Sequence, residues 1–312
     1  MPELPEVETV RRGLAAQIVG HVFTGISFLE WPRTIESPAP EDLAHQIAGQ
    51  QVLAVSRRAK FLVIALAGGE SLIVHLRMTG QLTVASQATP RDRFTRVALG
   101  FADGDELRFS DIRRFGRIGL YDAAGLARRF RDLGPEPLDD RWLPDDLAAA
   151  LSRRRTRLKP LLLDQSFVAG LGNIYADEAL FRAGLHPLTI AAEVPPERAA
   201  LLHASIRELL HDAIRSGGTT FSNYRDAYGN EGDYYERRRV YARTDAPCLV
   251  CGAPITRIVV GGRGTHFCAV CQPAPGTTIG KIVPFPVRTD GRLVAEESAA
   301  YTVSAPESED DR

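Results

Sequence analysis

Val7, Val10, Leu14 and Ile18 recur at the three-to-four-residue spacing of a helix and lay one apolar stripe along residues 1–20. Pro5 suits the first turn, Glu6 and Glu8 there complement the helix dipole, and Gly20 ends the run. From about residue 22 to 121 the period becomes that of strands. KFLVIAL (60–66) and SLIVHL (71–76) flank the turn AGGE, RVALGF (96–101) and ELRFSDI (106–112) flank ADGD, and RRFGRIGLY follows, so the pattern predicts a β-sandwich of two sheets with a leading helix. LGPEPLDDRW (133–142), rich in Pro and acid, reads as a linker. Helical periods then run through LPDDLAAALSRR, LKPLLLDQ, NIYADEALFRAG and PERAALLHASIRELLHDAIRSG, which makes 142–216 helical. GGTTFSNYRDAYGNEGDYYERR (217–238) has little apolar period and reads as a long polar loop carrying aromatics; loops of that length tend to be functional or disordered. The last forty or so residues are weakly patterned, acidic and expected to be mostly disordered.

Composition changes this picture little. The 312 residues suit two domains, or two plus a small module, and 44% hydrophobic content is enough for a core. No run of about 18 apolar residues predicts a membrane span, and the N-terminus lacks the plan of a signal peptide. Charge matters more. The net charge of −1 argues at first against a nucleic-acid partner, but seven acids against four bases put residues 273–312 at −3 and leave the first 272 at +2. Basic runs stand at 57–60, 113–114, 153–159 and 237–243, three of them beside Phe61, Phe115 and Tyr241. One such run is as easily a solvated face; four, with aromatics, favour a phosphate-tracking surface.

The four cysteines lie in two C-x₂-C pairs, CLVC (248–251) and CAVC (268–271), sixteen residues apart. With no export signal this spacing predicts one tetrahedral zinc held by Cys248, Cys251, Cys268 and Cys271, against a redox pair or an iron site as the competing readings. Four thiolates leave no open position, so such a zinc holds a fold and does no chemistry. The intervening APITRIVVGGRGTHF makes a hairpin that turns at GGRG and presents Arg263.

PELPE at 2–6, GLGNIYADE at 170–178 and a four-cysteine hairpin with an arginine at its turn occur together, in that order. On those motifs the chain resembles the formamidopyrimidine-DNA glycosylase family from residue 1 to about 272. The resemblance implies an α+β multidomain protein: an N-terminal catalytic β-sandwich with a leading helix (1–134), a helix-two-turn-helix DNA-binding domain (142–222), the end of a lesion-recognition loop and a connector (223–243), and a four-cysteine zinc finger (244–272). Residues 273–312 lie beyond it as the acidic tail. It implies a monomer that works on double-stranded DNA holding oxidised bases or abasic sites, in the cytoplasm of a bacterium and at its nucleoid, with no membrane partner.

It also implies roles. Removal of Met1 would free the secondary amine of Pro2. An α-amino group of pKa about 8 is roughly a tenth unprotonated at pH 7, against under about 0.1% for a lysine near 10.4, so a terminal proline is a ready nucleophile. Glu3 is the implied general acid/base and Glu6 a supporting carboxylate. Lys60 matches a phosphate-contacting lysine that aids β-elimination, and Arg263 a phosphate-gripping arginine that aids δ-elimination. Met78, Arg113 and Phe115 match a triad that fills the space left by an extruded base; taken alone, Met78 and Phe115 would more often be core residues. Asn173, read alone as a helix N-cap, matches a phosphate contact. His75, Arg154, Tyr241 and Arg257 match further DNA contacts, and Arg154 stands where the family often has lysine. Where several relatives carry histidines, this chain has Phe94 and Arg96; Arg96 could take over a phosphate contact and Phe94 could not. Two other readings stay open on sequence: an endonuclease VIII-type glycosylase for oxidised pyrimidines, and a non-catalytic zinc-dependent nucleic-acid-binding protein.

Overall fold

The computed structural model describes residues 1–220 and 224–276, and the backbone of two short strands further on. Two compact units share the chain discontinuously. One comprises Met1–Leu133 with His211–Arg237; the other comprises Gly134–Leu210 and the residues from Arg238 on.

The first unit opens with α1 (Leu4–Ile18), Pro5 in its first turn and Glu3 as its N-cap residue. Then follow β1 (Phe23–Leu29), β2 (Ile35–Ser37), α2 (Pro40–Ile47), β3 (Val52–Arg58), β4 (Phe61–Leu66), β5 (Ser71–His75), β6 (Gly80–Ser86), β7 (Thr95–Phe101), β8 (Asp105–Asp111), β9 (Arg117–Tyr121) and α3 (Ala123–Phe130). One sheet has the order β2-β9-β5-β4-β3 and the other β1-β7-β8-β6. All neighbours are antiparallel except β2 with β9. Both expected hairpins form, as β4–β5 and β7–β8. The core joins the two sheets to the helix: Val7, Val10, Leu14 and Ile18 are buried with Leu62, Ile64 and Val74 of one sheet and Leu82, Val97, Leu99 and Leu107 of the other. Each such side chain contributes about 1.5–3 kcal/mol when fully buried, so the stripe on α1 fixes the first residues of the chain against the core.

Two helices lie where strand or no element was expected. In α2, Pro40 opens the first turn, Glu41 and Asp42 follow it, and Leu43 and Ile47 are buried one turn apart. Eight residues hold only two apolar repeats, too few to stand out in a strand-rich stretch. In α3 the Asp122 carboxylate caps the helix by accepting from the Gly125 N–H at 2.6 Å.

The second unit is helical: α4 (Pro144–Ser152), α5 (Leu158–Leu163), α6 (Asn173–Arg182) and most of α7 (Pro196–Arg215), followed by the hairpin β10 (Ile255–Val260) and β11 (Arg263–Cys268). The stretch expected as a linker is a packed part of this unit. Gly134 N–H donates to the Gln165 carbonyl at 2.8 Å, Arg207 donates to the carbonyls of Pro137 and Asp139 at 3.0 and 2.9 Å, and Trp142 is buried. Its Pro and acid content marks irregular backbone, and that backbone is hydrogen-bonded to its neighbours.

The expected disorder of the tail falls largely outside the described residues; beyond Gly276 an antiparallel pair, β12 (Val287–Thr289) with β13 (Arg292–Val294), is described. Among the described residues no helix is long and apolar enough to cross a membrane.

Candidate functional site

In the first unit, Pro2, Glu3 and Glu6 are all buried at the start of α1. One oxygen of Glu6 accepts from the Glu3 N–H at 2.8 Å, and the other accepts from the Thr219 N–H at 2.7 Å. The Glu6 carbonyl also receives the Tyr224 hydroxyl at 3.3 Å. Burial, and then the Glu6 charge beside it, push the Tyr224 phenol far above its usual range, so it stays neutral and donates. A single carboxylate thus ties the N-terminal segment to the start of the 217–237 loop. The loop's backbone requires glycine there: Gly217 and Gly218 have φ of 70° and 83°. A Cβ at Gly218 would also sit 3.0 Å from Glu6 side-chain atoms.

Lys60 occupies the two-residue turn between β3 and β4 and is buried. On the neighbouring strand His75 packs edge-on to Phe61, ring centres 4.6 Å apart. Burial, with the positive charges of Arg77, Lys60 and Arg129 around it, drives the His75 pKa down to about 3. The ring is therefore neutral at physiological pH. Its Nδ1 accepts from the Arg77 N–H at 2.9 Å, which leaves the proton on Nε2 as a donor.

Met78, Arg113 and Phe115 lie outside the core: Met78 is 43% and Phe115 47% exposed, and the Arg113 guanidinium lies 5.0 Å from the Phe115 ring centre. The core reading of Met78 and Phe115 is therefore wrong, because both sit in turns beyond the ends of the second sheet's strands. Arg96, for which a phosphate contact is expected, already has partners within the protein. It is 5% exposed, donates to the Asp111 carbonyl at 2.8 Å and pairs with Glu30 at 2.8 Å. Phe94 beside it lies within cation–π distance of Arg93.

In the second unit Asn173 is the first residue of α6 and Gly172 holds the N-cap position, which corrects the N-cap reading of Asn173. The Asn173 amide donates to the Gly264 carbonyl at 2.9 Å, joining the start of α6 to the hairpin. Gly261 and Gly262 both have positive φ, 56° and 73°, the conformation of a two-residue hairpin turn. Arg263 is the first residue of β11, exposed and paired in register with Val260. Arg257 and Arg154 are exposed, and Tyr241 packs edge-on to His266 at 5.1 Å.

Beneath these lies a polar core that sequence reading missed. Lys159, counted there in a basic surface run, is 0% exposed. Its ammonium donates to Asp177 at 2.6 Å and to the Asn173 carbonyl at 2.9 Å. The other Asp177 oxygen accepts from the His266 N–H at 2.9 Å. Glu178 next to it is fully buried and accepts from the N–H groups of Arg239, Val240 and Tyr241 at 2.8–2.9 Å. Burial raises its pKa despite those donors. Asp177 and Glu178 stand inside GLGNIYADE, so the motif pointed to them without giving their partners.

The four cysteine sulfurs lie within 4.8 Å of one another, with Cys248–Cys271 at 3.9 Å and Cys251–Cys268 at 3.4 Å. Zn–S bonds of about 2.3 Å place tetrahedral sulfur pairs roughly 3.8 Å apart, so the donor set fits one structural zinc. Cys248 and Cys268 pack with Phe181, Val240 and Ile255 in a small core of their own. The metal site thereby anchors the hairpin that carries Arg263.

Three family models match in chain order: the formamidopyrimidine-DNA glycosylase N-terminal domain over residues 1–118, the formamidopyrimidine-DNA glycosylase H2TH domain over 133–225, and the zinc finger found in FPG and IleRS over 246–274. A formamidopyrimidine-DNA glycosylase of Herpetosiphon aurantiacus is 50% identical over 272 residues, 87% of this chain and 100% of its own length. Among solved structures, a mutant of the Lactococcus lactis FPG in complex with DNA containing Fapy-dG is similar with a TM-score of 0.83 at 37% identity, covering 88% of this chain and 100% of its own. MutM in complex with DNA containing carbocyclic 8-oxo-G is similar with a TM-score of 0.82 at 36% identity, covering 88% and 100%.

Proposed function

The chain belongs to the formamidopyrimidine-DNA glycosylase family, and on that premise we propose that it excises oxidised purines, 8-oxoguanine and formamidopyrimidines, from double-stranded DNA and then cuts the strand as an AP lyase. The observation that carries this reading is the Glu6 bridge, which holds the N-terminal segment and the 217–237 loop together through two backbone N–H groups. A nucleophile and the loop that meets an everted base need to be in fixed register for attack on the sugar carbon.

With Met1 removed, the unprotonated Pro2 nitrogen attacks C1′ of the lesion nucleotide. The C1′–N bond breaks and the base departs with a proton. Glu3 gives a proton to the ring oxygen as the sugar opens, which leaves an iminium between Pro2 and C1′. The iminium acidifies the C2′ proton, and its loss expels the 3′ phosphate; a second elimination expels the 5′ phosphate. Lys60 and Arg263 balance charge on the departing phosphates, and Asn173, His75, Arg154, Tyr241 and Arg257 hold the backbone. His75 serves as a neutral Nε2–H donor. Zinc, held by Cys248, Cys251, Cys268 and Cys271, keeps the hairpin folded and takes no part in these steps. Met78, Arg113 and Phe115 occupy the space of the extruded base, and Arg113 hydrogen-bonds the orphan base. Bacterial relatives and a DNA substrate support a reading in which the work is done in the cytoplasm, at the nucleoid.

Single-turnover cleavage of matched duplexes tests this reading. Faster strand cutting at 8-oxoguanine than at thymine glycol is expected. The reverse order would assign the chain to the pyrimidine-specific activity, and binding without cutting would make it a non-catalytic DNA-binding protein.

A further inference from the structure

Two separate turns carry the three side chains assigned to the base stack, and both are pinned by one buried residue. We propose that Asp111 is the positioning residue that makes Met78, Arg113 and Phe115 act as a single probe of the space left by an extruded base and of the orphan base facing it. The proposal rests on the assignment of those three side chains to that space.

Asp111 is 1% exposed and stands at the end of β8, in register with Gly80. Its Oδ1 accepts from the Thr79 hydroxyl and from the Arg113 N–H, the latter at 3.0 Å, and its Oδ2 accepts from the Gly116 N–H at 2.7 Å. The Arg113 N–H is shared with Thr79 Oγ1 at 3.1 Å, so the hydroxyl's own proton is directed to the carboxylate. One carboxylate therefore closes the Arg113–Phe115 turn on itself and locks it to the residue after Met78.

The same two turns also meet over one ring. A Cβ at Gly80 would come within 2.8 Å of the Phe109 ring, and one at Gly116 within 2.2 Å. Both turns are thus pressed onto Phe109, two residues before Asp111. Each turn in addition carries a non-glycine residue in left-handed backbone: Arg77, with φ of 54°, precedes Met78, and Arg114, with φ of 59°, separates Arg113 from Phe115. Such backbone persists only where its surroundings over-determine it: Asp111 accepts from the N–H groups on either side of Arg114, while the Arg77 N–H is held by His75 Nδ1 and the turn after it is tied to Asp111 through Thr79. The sequence alone hides this, because Thr79 lies 32 residues from its partner.

Asp111→Asn is the direct test, since it keeps shape and size and replaces one acceptor with an N–H₂ group that must face a backbone or hydroxyl donor. Thr79→Val removes only the link to the Met78 turn, and Thr79→Ser retains it. Three readouts are taken on the full chain: the melting temperature, single-turnover excision from 8-oxoguanine opposite cytosine and opposite adenine, and borohydride trapping at an abasic site facing a one-nucleotide gap. The gapped duplex has no orphan base to read. Asp111→Asn and Thr79→Val are expected to slow excision opposite cytosine by at least about tenfold and to shrink the cytosine-over-adenine preference, with trapping on the gapped duplex within about twofold of wild type. Thr79→Ser should restore the preference. An unchanged preference in both variants, or equal losses on all substrates in step with a lowered melting temperature, would overturn the proposal. Wild-type protein that traps no duplex would instead remove the glycosylase reading, which separates the two failures.

Discussion

In the proposed mechanism, Glu6 is the side chain that sets the geometry of attack. Both of its oxygens receive N–H donors, and a glutamine there would present an amide to one of them. A buried donor left unsatisfied costs about 1–3 kcal/mol, so Glu6→Gln is expected to slow single-turnover base excision by about ten- to a hundredfold while leaving the affinity of the zinc-bearing unit for undamaged DNA nearly unchanged; equal excision rates would show that the bridge is idle. His75 makes a prediction of a different kind. Its folded pKa of about 3 lies below its ordinary 6.5. The unfolded chain therefore binds the proton first, and stability is full above about 6.5 and lost as pH falls from there toward 3. Melting curves at pH 7 and pH 5 should differ less for His75→Gln than for wild type; the difference does not vanish, because burial lowers the His186 pKa to about 4 as well. An identical pH response in the variant would contradict this. That Pro2, Glu3 and Glu6 gather at the start of α1 was legible because their positions are local in sequence. Arg96 and Lys159 were not, because a charge in a sequence carries no sign of a partner: Glu30 lies 66 positions from Arg96, and Asp177 lies 18 from Lys159.

The hairpin β10–β11 and helix α6 behave as one element pair. Cys268 and Cys271 supply two of the four clustered sulfurs, the His266 N–H donates to Asp177, and Gly264 accepts from Asn173. Because the energy of binding zinc to four thiolates is also folding energy for such a module, Cys268→Ser or chelation should release zinc and weaken binding to lesion DNA together. Metal analysis finding no zinc in the wild type, or metal-free protein that holds lesion DNA normally, would exclude a structural zinc. Asp177→Ala should be harsher than its small change suggests, since it strands the Lys159 ammonium without its carboxylate. Breaking a buried pair from one side costs about 3–5 kcal/mol. Asp177→Ala combined with Lys159→Met should recover much of the lost melting temperature, and a double variant no more stable than the single one would rule out the stranded charge as the cause. The elements themselves were legible where apolar periods ran long, as in α1, the two β-hairpins and α7. They were hidden where a helix spans only two turns, as α2 and α3 do, or where irregular backbone is packed by side-chain donors such as Arg207.

Across the molecule, charge is divided: residues 1–272 carry +2 and residues 273–312 carry −3. A negative segment tethered to a DNA-binding protein competes with phosphate for its basic side chains, and salt screens that competition over about 8–10 Å. Gln272 belongs to the folded part, donating to the Leu185 carbonyl at 2.7 Å. Truncation after Gly276 should accordingly leave single-turnover excision intact and slightly tighten non-specific DNA binding at low salt, with the difference gone at high salt. A fall in activity and melting temperature together would show that the removed residues brace the fold. The most direct measurement remains the covalent one. Borohydride reduction in the presence of an 8-oxoguanine duplex, followed by peptide mapping, should place the sugar adduct on the nitrogen of Pro2 in a chain that has lost Met1, with Pro2→Gly trapping much more slowly. An adduct on Lys60 or another lysine, or trapping of Pro2→Gly at the wild-type rate, would contradict the assignment of the nucleophile to Pro2.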